Sequence, residues 1–146
     1  MRIACVVVVA ALAACSHKSH SIDSSEARDL LIDRNWLDRM PQTERDHLFV
    51  YRFVPTMGGG VFQDRTLYKG TFELFTFSVD GDSIHFKMPE TKTEVTSAFT
   101  IEKVDGPDNF DLKLTIPGDP RGPHVYYGWQ RETDRDGHLL EQRLHH

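Results

Sequence analysis

Cysteine is almost missing from this chain of 146 residues: there are two, Cys5 and Cys15. Nothing beyond residue 15 can therefore form a disulfide, so a domain there rests on a packed core. Positive charge is also in deficit, with 17 Lys and Arg against 22 Asp and Glu and a net charge of −5. That balance argues against nucleic acid or an anionic lipid surface as the main partner. Only one long apolar run exists, Ile3 to Ala14, and its twelve residues fall short of the about 20 that a membrane-crossing helix needs. A G-x-S-x-G nucleophile elbow, a P-loop and a dinucleotide fingerprint are all absent, as are internal repeats. With no convergent acid, base or metal-ligand set, the expectation is a non-enzymatic protein without cofactor or metal.

What is present begins at the N-terminus. Arg2, the apolar run and the small residues after it have the form of a secretory signal over residues 1–14. Leu12-Ala13-Ala14-Cys15 resembles the lipobox of bacterial lipoproteins. The resemblance implies cleavage before Cys15, a diacylglycerol on its sulfur and a lipid anchor in the membrane. It also gives Cys15 a use, where simple cleavage would leave a lone reactive thiol in an oxidising compartment. Ser16 after the Cys implies, by the same analogy, the outer membrane facing the periplasm. Residues 15–25, "CSHKSHSIDSS", read as the lipidated Cys and a flexible tether, with the domain over residues 26–146. His17 and His20 have a metal-like spacing, but a solvated tether offers neither further ligands nor a rigid support.

Asp23 and Glu26 have capping-box spacing ahead of Ala27, Leu30 and Leu31, which predicts a short helix over residues 24–32, then a turn near Asp33 and a first strand carrying Trp36. Period-two alternation predicts strands over residues 47–54, 61–68, 71–79, 83–88, 93–104, 109–116 and 124–131. Asp80-Gly81 marks a hairpin turn of type I′. In "TFELFTFSV" Phe72 and Leu74 share one face while Phe75, Phe77 and Val79 share the other, which suggests a β-bulge near Leu74. The tail after Gly137 fits either a short helix or an edge strand.

Short strands joined by hairpin-length turns, with one helix to cover them, predict an all-β domain: an antiparallel up-and-down barrel of about eight strands, or alternatively a two-sheet β-sandwich. The N-terminal helix, Trp36 on the first strand, the meander and a late Arg make residues 30–131 resemble the calycin group, and more narrowly small bacterial lipocalin-like lipoproteins. In that family a first-strand Trp of a G-x-W motif packs beneath a late Arg. The resemblance gives these roles to Trp36 and to Arg131 or Arg121, although position 34 is Arg rather than Gly.

Two site sets follow. Phe49, Tyr51 and Phe53 on one strand and Tyr127 and Trp129 on another are candidates for lining a cavity that takes a small apolar or amphipathic molecule, or for filling the interior. Arg65, Arg121, Tyr126 and Arg131 have the composition of a protein-binding hot spot on loops. The first set gives a ligand-binding envelope lipoprotein. The second gives a solid barrel of inhibitor or immunity type that binds an envelope protein. Gly58 to Gly60 and the Asp80-Gly81-Asp82 run read as hairpin loops rather than anion or calcium sites.

Overall fold

A computed structural model describes residues 20–145. The signal segment and Cys15 lie outside the described residues. The chain forms β1 (His20–Ser21), α1 (Ser24–Leu31), β2 (Asn35–Leu37), β3 (Leu48–Val54), β4 (Gly59–Arg65), β5 (Gly70–Asp80), β6 (Ser83–Met88), β7 (Thr93–Ala98), β8 (Thr100–Lys103), β9 (Leu112–Thr115), β10 (Val125–Gly128) and α2 (Leu140–Leu144). The fold is all-β in class, and its helices are short.

The helix starts where capping chemistry sets it: Asp23 accepts from the backbone N–H groups of Ser25 and Glu26, both at 2.9 Å. Residues 20–25 are more ordered than a tether requires, since β1 pairs with β8 and Ser24 and Ser25 belong to α1. Asp33, at φ 56°, makes the turn into β2. The tail after Gly137 resolves as the helix α2.

The strands form one antiparallel sheet in the order β1-β8-β9-β10-β2-β3-β4-β5-β6-β7, not two sheets packed face to face. β7 pairs with β6 and β8 pairs with β9, and only Phe99 separates β7 from β8. One bent segment thus serves both flanks of a strongly curled sheet. The β5–β6 turn differs from expectation. Its central pair is Gly81-Asp82, and only Gly81 has positive φ (57°), the II′ rather than the I′ pattern.

Alternation along each strand separates two apolar clusters. The concave face gathers Trp36, Tyr51, Phe53, Phe62, Phe75, Phe86, Leu112, Leu114 and Tyr126, with Ala27 and Leu31 of α1 packed among them. The convex face of β2, β3 and β10 carries a second cluster, Leu37, Val50, Phe110 and Trp129, covered by Leu140 and Leu144 of α2. Both faces of β3 are therefore covered, which explains its near-continuous apolar run.

The bulge expected near Leu74 is absent. β5 pairs residue for residue with β4 through Phe75 and with β6 from Thr76 onwards, and its alternation never changes phase. Phe72 and Leu74 instead stand on the convex face, 70% and 57% exposed.

Candidate functional site

The β9–β10 connection, residues 116–124, turns into one mouth of the curled sheet. Ile116 N–H donates to His124 O (2.8 Å), and Gly118 N–H donates to Ser97 Oγ (2.9 Å), tying the turn to β7. Three prolines in "PGDPRGPH" stiffen it. This rigid turn carries Asp119 and Arg121 inward.

Asp119 is buried and accepts three hydrogen bonds. Tyr51 donates its hydroxyl to Oδ1 at 2.9 Å, Tyr126 to Oδ2 at 2.6 Å, and Arg121 N–H to Oδ1 at 2.8 Å. The Arg121 guanidinium donates from Nη1 to the Tyr51 hydroxyl (3.1 Å) and from Nη2 to Glu73 Oε1 (2.7 Å). It also lies over the Phe75 ring at 4.7 Å and the Phe62 ring at 5.3 Å. Burial, then the Asp119 charge, pushes Tyr51 and Tyr126 far above the ordinary tyrosine value. For Arg121, burial acts against the charged form, but Tyr51 and Glu73 outweigh it and raise its pKa. The five side chains form a polar bolt across the mouth. α1 covers the opposite mouth, where Trp36 Nε1 donates to Leu31 O at 3.0 Å.

Between the two closures the rings pack on one another. Tyr51 lies 4.7 Å from Phe62 and 5.1 Å from Tyr126 between centroids, and Phe53 lies 5.6 Å from Phe75. Phe49 is half-buried and stacks on Phe62 at 5.7 Å. Of the residues expected to line a cavity, Phe49, Tyr51 and Phe53 therefore lie together on the inner face.

Tyr127 and Trp129 do not join them. Both belong to the convex cluster, where Phe110 stacks on them at 5.8 and 5.1 Å. The inward residue of β10 is their neighbour Tyr126. The expected loop set separates as well. Tyr126 is fully buried and Arg121, with a side chain 5% exposed, is locked in the bolt, so neither is a loop hot spot. Arg65 is half-buried and clamps its own hairpin, donating to Thr66 O and Leu67 O and reaching Glu141 of α2 at 3.5 Å. Arg131 is exposed beyond β10. Arg121 spans the mouth opposite α1, and the Trp36 ring packs against the backbone of Gly128.

Sequence reasoning missed Asp119 and Glu73, whose roles arise only from long-range contacts. It also missed the convex face of β4 and β5. There Val61 pairs with Leu74 and Gln63 with Phe72, and Met57 in the adjoining turn is 82% exposed. Val54, Met57, Val61, Leu74 and Pro89 line an open depression of about 250 Å³ floored by the backbone of Gly58 to Gly60. The large apolar residues Phe72 and Leu74, on the face opposite Phe75, Phe77 and Val79, were the available signal.

Asp134, Asp136 and His138 also gather, with ligand-type atoms within 4.8 Å of one another. Asp134 Oδ1 accepts from the N–H groups of Asp136 (2.9 Å) and His138 (2.8 Å), and Oδ2 lies 3.5 Å from Arg143 Nε. This arrangement staples the turn to α2. Among the described residues, no helix is long and apolar enough to cross a membrane. In comparisons with known proteins, no family model, no curated protein and no solved structure matches the chain.

Proposed function

We propose that this protein is a lipid-anchored envelope lipoprotein whose lipocalin-like barrel is a solid scaffold that binds a protein partner through the convex face of β4 and β5. Counting β7 and β8 as one bent strand, and setting the two-residue β1 aside, leaves eight strands in up-and-down order, which supports the barrel reading. Cys15 supplies the anchor, with the domain on the periplasmic side of the outer membrane. The role is non-enzymatic and involves neither cofactor nor nucleic acid.

One observation carries the reading: the interior is filled ring against ring and bolted at its mouth, while Met57, Phe72 and Leu74 remain in solvent. Exposed apolar side chains on a stiff sheet suit an interface. The test is site-specific photo-crosslinking in intact cells. A crosslinking residue at position 72 or 74 should trap one discrete envelope protein, and the same residue at Thr96, exposed on β7, should trap none. Equal trapping at all three positions, or at none, rejects the surface. Cys15→Ser should move the protein from the membrane to the soluble fraction.

A second reading, the carrier of a small apolar or amphipathic molecule, draws support from Arg121 and Tyr51, polar handles at the edge of an aromatic interior. It requires the bolt to open. Native mass spectrometry of the detergent-free domain tests it: a co-purifying mass lost on denaturation supports a carrier.

A further inference from the structure

On the opposite side of β3 from the aromatic interior, the segment from Trp129 to Glu141 folds back over the start of β2 and the end of β3. It leaves an open cleft of about 290 Å³. Arg34, Arg52 and Arg131 all border it. In a chain with more acidic than basic residues, such a convergence requires its counter-charges to be found. Among the described residues, none of these three arginines has a carboxylate within 4.0 Å. Arg34 Nη1 donates to Trp129 O (2.8 Å), and Arg52 Nη1 reaches only the Asn35 amide oxygen at 3.4 Å. Asp33, Glu132 and Glu141 line the cleft as well, and Glu141 is turned towards Arg65 and His145.

Two of the residues that line the cleft also carry an orphaned donor. Arg34 Nε and Trp129 Nε1 are buried and lack any hydrogen-bond partner, and Trp129 is 5% exposed. A buried N–H without an acceptor is destabilising, more so when charged. Burial lowers the Arg34 pKa, with Asp111 and Asp33 opposing the shift, so its charge is only partly compensated. Leu139, 49% exposed, and Leu140 add an apolar wall beside these donors.

We infer that this cleft is an oxyanion site: a carboxylate or phosphate group is held by Arg34, Arg52 and Arg131, and its apolar remainder lies against Leu139 and Trp129. Guanidinium donors on an oxyanion make the strong, charge-assisted class of hydrogen bond. The site lies on the same convex side of the sheet as the proposed partner surface, but over β2 and β3 rather than β4 and β5, and its chemistry does not depend on that surface. The same chemistry is offered by a free small acid and by an anionic lipid headgroup.

The chain has two tryptophans, so an indole ¹⁵N–¹H spectrum has two side-chain signals, and Trp36 serves as the internal control because its N–H is already bonded to Leu31 O. The full chain in non-ionic detergent is titrated with inorganic phosphate and with butyrate at constant ionic strength, then transferred to nanodiscs of phosphatidylcholine or phosphatidylglycerol. A saturable shift of the Trp129 signal alone, weakened about tenfold or more by Arg52→Gln with Arg131→Gln, establishes the site. A shift confined to phosphatidylglycerol discs, with the same variant dependence, assigns the oxyanion to a lipid headgroup. Arg131→Gln alone, at an exposed position, repeats the test if the double variant is unstable. Equal movement of both indoles, no saturation, or indifference to the Arg variants overturns the site.

Discussion

Asp119 shows how one side chain can hold a distant pair together: its partners Tyr51 and Tyr126 lie 68 and 7 positions away in sequence. Tyr126→Phe keeps the ring and removes the donor at Oδ2, so chemical denaturation should show a loss of about 1–3 kcal/mol. The bolt also makes an alkaline prediction. Both tyrosines have folded-state pKa values raised by burial and by Asp119. In the unfolded chain they ionise near pH 10. Their contribution to stability is therefore complete below about pH 10 and is lost above it, because the unfolded state then gives up protons that the folded state retains. The expected slope is about 1.4 kcal/mol per pH unit for each tyrosine. Denaturation midpoints measured from pH 9 to 12 check this, and Tyr126→Phe should halve the slope.

At the scale of the element, β5 separates what its own residues declare from what its neighbours decide. Alternation revealed that a strand exists there, and the structure extends it to Gly70–Asp80. Phe72 and Leu74 looked like evidence for a bulge because a globular strand is assumed to hide its large apolar residues. The strand keeps its phase and leaves them in water. The same ambiguity misled the reading of β10: Tyr126 and Tyr127 are both aromatic and both faces of the strand are covered, so alternation had no polar residue with which to set the phase. Helix α2 was undecidable because five residues make barely more than one turn, and its burial against Leu37, Val50 and Phe110 decides the matter. Leu144→Ala should accordingly cost about 2–5 kcal/mol by calorimetry or denaturant titration, a core-sized loss from a residue near the chain's end. Gly59 tests the β4–β5 approach. A Cβ there would meet Phe75 O at 2.1 Å, a backbone atom that cannot swing aside. Gly59→Ala should therefore destabilise by more than the about 1–3 kcal/mol usual for overpacking, whereas Gly81→Asn, at a turn position open to solvent with φ 57°, should stay within about 1 kcal/mol of the parent.

At the scale of the molecule, the sheet has to fill the space it encloses, and aromatic rings fill it here. Phe86 touches three others, with centroids 5.8 Å from Phe75 and 6.2 Å from both Tyr51 and Phe53. Its neighbours come from β3 and β5, so none can move into a vacancy without disturbing a second strand. Phe86→Ala should then cost about 3–5 kcal/mol and leave a dry apolar hole. Such a hole admits benzene, so benzene should raise the midpoint of the variant and leave the parent unchanged. That contrast separates the two functional readings at the level of the whole barrel. If the parent gains stability with benzene as the variant does, the interior already contains accessible space, the bolt is a door, and the carrier reading gains at the expense of the solid scaffold. If only the variant responds, the interior is structural, and the solid-scaffold reading, with its proposed surface on β4 and β5, gains instead.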